Sequence, residues 1–411
     1  DSRRHDLLHT LAAFGQRHWP GRAEVGFLDF LHAAQPLFRA YLDLDRKTQG
    51  AGMLAAPAFN PLDHAAIERL RHWRQLVLDG IGACLEPCGE EQRLCRASAT
   101  RLLDQVPSLY AGSHSVCAIV QPQDGSGTSW VLNRLFEGSG WLSSRYTAVM
   151  DEEVRERWTA YYTARSVREQ DGEMGELVDL NCTLGHSLNI HALQTRRVLE
   201  VPGESSPAPP GRSIRFRDLR IQLPGPDRYP RLVDAASRRL LPVHLGGRGF
   251  RFLPELLKLL VLLGPGELRP CLPRKGARRE GDVLIGDRHL TGSVVFARRT
   301  WTFDAGVLRS RLERATDAQA FLAVNDWRLE RGFPDRVFLA EPVGSGAGPP
   351  RLKPQYIDFT SPLFVEIFRS AVQAGPGELG IAEALPDPEG LLRGEDGKRW
   401  AVEIQLDNLD F

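Results

Sequence analysis

The segment Glu137-Gly138-Ser139-Gly140-Trp141-Leu142-Ser143-Ser144-Arg145-Tyr146 combines small residues with one permanently charged side chain. Backbone amides of a Gly-containing turn can cradle an anion, and an arginine leaving it can hold a carboxylate or phosphate through two parallel hydrogen bonds. The segment lacks the Gly-Lys-Ser/Thr of a P-loop and the third glycine of a dinucleotide fingerprint, so neither is assigned. A plain turn with a structurally paired arginine is the alternative reading. The strand-like Val294-Val295-Phe296-Ala297 delivers Arg298 and Arg299 beside Trp301, a combination suited to phosphate contact and base stacking; a solvated strand end is its alternative. His186 and His191 lie five apart, off the i, i+4 spacing of zinc proteases, and no metal site is expected. His244, beside Gly246-Gly247, is either a base or a packed histidine. Neither a Gly-x-Ser-x-Gly elbow nor the kinase motifs occur.

These groups must be positioned by elements of mixed type. Leu7, Leu8, Leu11 and Phe14 share a helical face, and residues 27–42 repeat apolar side chains at helical spacing. Pro61 after Asn60 predicts a capped helix running towards Leu78, and residues 90–106 predict another. The period then changes. Residues 115–121 and 129–136 are expected as strands around the turn Asp124-Gly125-Ser126-Gly127, followed by a helix over 151–164 with Trp158, Tyr161 and Tyr162 on its buried side. Further strands are expected at 176–178, 196–201, 213–222, 356–359 and 400–406, with a helix from Ser361 to Val372 that has Pro362 in first position. Prolines in 202–211 mark a surface loop or boundary, and Gly344–Pro350 a second connection. The expected class is α+β: a helical subdomain over 1–110, an α/β subdomain over 111–202 with the Ser-Arg turn, and an α+β subdomain over 212–411 of mostly antiparallel sheet.

The 411 residues suffice for a large core, and 52 basic against 52 acidic residues leave no net charge, so a polyanion site would have to be local. Between Glu267 and Arg299 there are eight bases, among them Arg274 and Lys275, against four acids; from Gly375 onwards nine acids face three bases. Six cysteines without a CxxC pair point to buried thiols and a reducing cytoplasm rather than a disulfide scaffold. The longest apolar run, 256–263, contains Lys258 and is too short to span a bilayer. The chain opens at Asp1 within a helical pattern, and a longer natural polypeptide is expected.

Taken in order, several segments resemble the glutamylation domain of lantibiotic dehydratases. They are Val131-Leu-Asn133, the Gly138-Ser-Gly140 turn with Ser144-Arg145-Tyr146, Glu176 with Asn189, Ile214-x3-Asp218-Leu219, and Leu241-Pro242-Val243. Arg298-Arg299-x-Trp301, Trp327-Arg328 with Gly332-Phe-Pro334, Lys353-Pro-x-Tyr-Ile-Asp358 and Pro362-Leu363 continue the series. The resemblance covers roughly residues 110–405 and rests on the order of the segments. It implies an enzyme with no bound cofactor that uses glutamyl-tRNA as co-substrate. A Ser or Thr hydroxyl of a leader-bearing precursor peptide attacks the activated glutamyl ester, the first step towards dehydroalanine or dehydrobutyrine in lanthipeptide or thiopeptide biosynthesis. Carried over residue by residue, it implies a catalytic set of Arg145, Ser144 and Asn189. Arg145 takes the carboxylate or the acyl-carrying terminus, and Arg298, Arg299, Arg274 and Lys275 contact tRNA.

The family's longer N-terminal part with its peptide clamp is not recognisable here, nor is its elimination domain, so the chain is expected to be either a fragment or one half of a split enzyme whose elimination step lies on a separate protein. A homodimer is compatible with this reading. Two alternatives stay open: a peptide aminoacyl-tRNA ligase that adds an amino acid to a peptide C-terminus, and a non-catalytic half that binds tRNA or peptide.

Overall fold

Helical spacing of apolar residues is realised in a computed structural model. It describes residues 2–48, 57–106, 115–123, 127–138, 140–141, 143–164, 167–170, 173–204, 208–209, 211–223, 225, 228–247, 249–265, 272, 276–340, 354–374 and 377–408. Phe27–Lys47 is a helix that buries Phe27, Phe30, Ala34, Phe38 and Tyr41 along one face. The helix expected at Pro61 begins instead at Ala65. Asn60 Oδ1 accepts from the His64 amide, so Asn60 closes the preceding turn and the His64 ring nitrogen caps the helix. The helix expected over 90–106 shrinks to Arg96–Leu103, because Gly89, at φ 61°, turns the chain so that Leu85–Cys88 and Glu91–Leu94 pair as a hairpin.

The fold is α+β with mostly antiparallel sheets. One sheet runs in the order Glu24–Gly26, Arg220–Gln222, Arg231–Val233, Arg239–Val243, Glu173–Asp179, Arg197–Glu200, Ser213–Arg215, with Val167–Gln170 paired to Glu173–Asp179. The strand expected over 213–222 is split by a 3-10 turn at Phe216–Asp218. Its two halves join opposite sides of this sheet. In a flat sheet they would lie about 24 Å apart at ~4.8 Å per strand. Five residues of extended chain reach only about 17 Å. The sheet is therefore curled, and a core of Val178, Leu180, Leu199, Phe216 and Ile221 packs with Leu7, Leu11, Phe27 and Phe30 from the first two helices.

A second sheet, Arg278–Glu280, Val283–Gly286, Thr300–Asp304, Glu378–Glu383, Arg336–Ala340 and Gln355–Asp358, is backed by helices Asp317–Glu330 and Pro362–Ala374 around Trp327, Phe359 and Phe368. The third runs Leu85–Cys88, Glu91–Leu94, Arg288–Thr291, Val294–Ala297, Trp130–Glu137, Val116–Pro122, Ile404–Asn408. Strands from both sides of residues 110 and 202 are thus interleaved. The buried apolar cluster of this third sheet is small, Val131, Leu290, Val295 and Leu385, and ion pairs supply part of its cohesion. Among the described residues no helix is long and apolar enough to cross a membrane.

Candidate functional site

The expected arginine turn leaves the inner hairpin of the third sheet. Gly138 donates its amide to Ser115 O at 2.9 Å, and a Cβ there would lie 2.8 Å from the Ser115 carbonyl carbon, so only glycine fits. Gly140 has φ 78° and lies against the Gln194 side chain and the Tyr162 ring, a second position that requires glycine. The chain then forms a 3-10 turn, Ser144–Val149, before helix Glu152–Ala164. Ser139 and Leu142 lie outside the described residues.

This turn separates Ser144 from Arg145. Ser144 is fully buried, and its hydroxyl lies 2.9 Å from Leu245 O and 3.1 Å from Trp141 O, the two acceptors it can serve. Its hydroxyl is thus held inside the scaffold. Arg145 is exposed, its guanidinium carbon 4.9 Å from the Tyr146 ring centroid. Asn189 is also buried and donates to Thr183 O at 3.0 Å, which ties a loop.

Between Ser144 and Asn189 lies a pair that the sequence did not single out. Asp179 Oδ1 accepts from the Leu245 amide at 3.3 Å, and Asp179 Oδ2 meets His191 Nε2 at 2.6 Å. His191 Nδ1 faces Asn189 O at 2.7 Å. Both side chains are wholly buried. Burial opposes charging of His191, but the Asp179 carboxylate and the Asn189 carbonyl outweigh it and raise the imidazole above its ordinary value of 6.5. With an acceptor at each ring nitrogen, the imidazolium is the matched form. In the sequence His191 stood out only beside His186, and Asp179 only as a polar residue interrupting the apolar run Leu177-Val178-x-Leu180. Among the described residues no cluster of His, Cys, Asp or Glu could hold a metal ion.

Arg145 opens onto a groove of about 510 Å³ lined by Asn133, Arg134, Phe136, Tyr146 and Glu403. Arg134 sits 5.9 Å from the Phe136 ring centroid, so two guanidinium groups lie against aromatic rings in one depression. Asn133 is fully committed. It donates to Gln121 Oε1 at 2.8 Å and to Glu403 Oε1 at 2.7 Å, and accepts from Arg298 at 2.8 Å.

Arg298 therefore stands behind the groove, donating also to Leu385 O, and burial lowers its pKa from the ordinary value. Arg299 grips the side chain and carbonyl of Glu90, and Arg288 bridges Glu91 and Glu383. Arg288, Arg298 and Arg299 of the basic stretch are thus engaged within the protein, whereas Arg279 is exposed. Glu176, a motif residue, is paired with Arg197, which also holds Asp234. Arg274 and Lys275 lie outside the described residues, as does Gly344–Pro350.

A curled mixed sheet, a helix-backed sheet and a thin sheet carrying an arginine turn together make the fold of a glutamylation domain of lantibiotic dehydratase type. One solved structure that the chain is similar to is the TbtB glutamylation domain of thiomuracin biosynthesis. Its structure bound to 5′-phosphodesmethylglutamycin aligns over 98% of this chain and 48% of that one, with TM-score 0.71 and 22% identity. A second TbtB structure gives the same coverage and TM-score at 21% identity. The tRNA-dependent lantibiotic dehydratase MibB from Microbispora sp. 107891 aligns over 77% of this chain and 30% of that one, with TM-score 0.56 and 19% identity. The chain spans about half the length of the TbtB chain. No protein-family profile and no curated protein matches it.

Proposed function

We propose that the chain takes part in glutamyl-tRNA-dependent glutamylation of Ser or Thr hydroxyls in a precursor peptide. The observation that carries this reading is the glutamylation-domain fold over 98% of the chain, with Arg145 of the expected turn at an open groove. In this reaction the peptide hydroxyl oxygen attacks the glutamyl carbonyl carbon. The bond to the terminal ribose oxygen of tRNA breaks, and that oxygen leaves with the proton.

Arg145 and Arg134 supply fixed positive charge for the glutamyl carboxylate or the tRNA-terminal phosphate, with geometry a lysine cannot reproduce. Glu403, oriented by Asn133, is the carboxylate in the groove placed to receive the hydroxyl proton. Ser144, Asn189 and Arg298 position these groups from behind. Arg299, Arg274 and Lys275 are proposed to contact the tRNA.

The test incubates labelled glutamyl-tRNA with a Ser-bearing precursor peptide and the chain, with and without a co-encoded partner protein. Transfer in a bond cleaved by mild base supports the proposal, and Arg145→Lys should lower it about 100-fold or more. A base-stable product would replace it with amide ligation. Absence of transfer in both mixtures, or full transfer by Arg145→Ala, would overturn it.

A further inference from the structure

Beside the arginine groove lies a cavity of about 740 Å³ between the 3-10 turn, helix Glu152–Ala164 and the last strand, Ile404–Asn408. Tyr146 and Gln405 line both depressions, so the two are adjoining. Its wall is aromatic. Trp158 and Tyr162 have ring centroids 4.7 Å apart, Tyr161 stands edge-on to Tyr162 at 5.3 Å, and Tyr146 and Tyr161 are about half exposed.

The acid in this cavity is Asp407. Ser143 Oγ, Tyr162 OH and Gln405 Nε2 all converge on its Oδ2, each at 3.3 Å. Among the described residues, the buried Oδ1 meets no hydrogen-bond donor and the buried Trp158 Nε1–H meets no acceptor. The neighbouring Tyr162 phenol is raised far above its ordinary pKa, first by burial and then by the charge of Asp407, and so remains a donor. The Cys117 thiol, register partner of Asp407, is pushed up to about 12 by the same two causes and stays protonated. Among the described lining residues Arg157 is the one base; it is 80% exposed and faces Glu153 at 4.0 Å. A carboxylate with an unmet acceptor, set among electron-rich ring faces, is complementary to an ammonium group.

We propose that this cavity binds a primary ammonium group, with Asp407 as counter-ion and Tyr146, Trp158 and Tyr161 as the surrounding faces. Two sources share this chemistry. One is the α-ammonium of the aminoacyl donor, whose side-chain carboxylate would then reach the arginine groove through the shared Tyr146–Gln405 edge; this source rests on the proposed function. The other is an ammonium on the peptide, from a lysine or an N-terminus, which does not.

The test is direct binding, read as the change in tryptophan emission that disappears in Trp158→Phe. The probes are glutamic acid α-methyl ester and Nα-acetyl-lysine amide, each against its neutral counterpart, the N-acetylated ester and Nα-acetyl-norleucine amide. The expected result is saturable binding of an ammonium probe at least 10-fold tighter than its neutral counterpart, weakened about 10-fold by Asp407→Asn. The exposed Tyr161→Leu, which keeps bulk but removes the ring, should weaken it several-fold and serves if Asp407→Asn does not fold. Response to the ester alone assigns the donor, and response to the lysine amide alone assigns the peptide. Equal binding of charged and neutral probes, or unchanged affinity in both variants, would overturn the proposal. No tRNA or transfer enters this assay, so its failure is separable from failure of the glutamylation reading.

Discussion

Asp179→Asn offers the sharpest probe of how the arginine turn is held. The substitution keeps the shape of the side chain and removes the charge facing His191 Nε2 at 2.6 Å. Both groups are wholly buried, and removing one member of such a pair costs about 3–5 kcal/mol because the other is left uncompensated. The pH dependence has a definite sign. His191 has a folded pKa above its unfolded value of 6.5, so its contribution is complete below that pH and is lost as pH rises through the raised folded pKa. In Asp179→Asn burial acts largely unopposed on the imidazole, and acid becomes destabilising. The stability gap between the two proteins should therefore be widest below the ordinary imidazole value of 6.5 and narrow as pH rises above it. Urea unfolding followed by tryptophan emission across that range measures it. A gap below about 1 kcal/mol, or one that widens with pH, would refute the charged-pair assignment.

Two further outcomes follow from the same geometry. Gly138→Ala places a methyl 2.8 Å from a backbone carbon of Ser115, which cannot rotate away, and should destabilise the hairpin by about 1–3 kcal/mol while sharply lowering any transfer activity; melting temperature and transfer rate check both. Arg298→Met leaves Asn133 Oδ1 and Leu385 O without their donor and should lower stability by about 1–3 kcal/mol. Because this arginine faces inward, the salt dependence of tRNA binding should keep its slope, whereas loss of a true phosphate contact would reduce it by about 1.

Local patterns were legible where one short stretch decides the outcome. The apolar face of Phe27–Lys47, the hairpin of Val116–Pro122 with Trp130–Glu137, and the Pro362 helix start all lie where periodicity and turn chemistry placed them. Boundaries failed where a neighbouring segment offered a better partner. Glu91–Leu94 left its expected helix because Leu85–Cys88 and Arg288–Thr291 both pair with it. Tyr161, expected inward, is 44% exposed and borders the aromatic cavity instead.

The same division holds for the site. Spacing alone marked Gly138, Gly140 and Arg145, since a tight turn needs glycine wherever φ is positive or backbones touch, and an arginine leaving such a turn is a local feature. That Ser144 faces inward, that its hydroxyl reaches Leu245 across 101 residues of chain, and that Tyr162 meets Asp407 across 245 depend on which strands lie side by side. The inward turn of Arg298 onto Asn133, 165 residues away, is of the same kind. A strand's pattern shows which residues share a face but not which distant strand that face will meet. Register and neighbour are settled by the joint packing of all the elements, and so those partnerships belong to the tertiary structure alone.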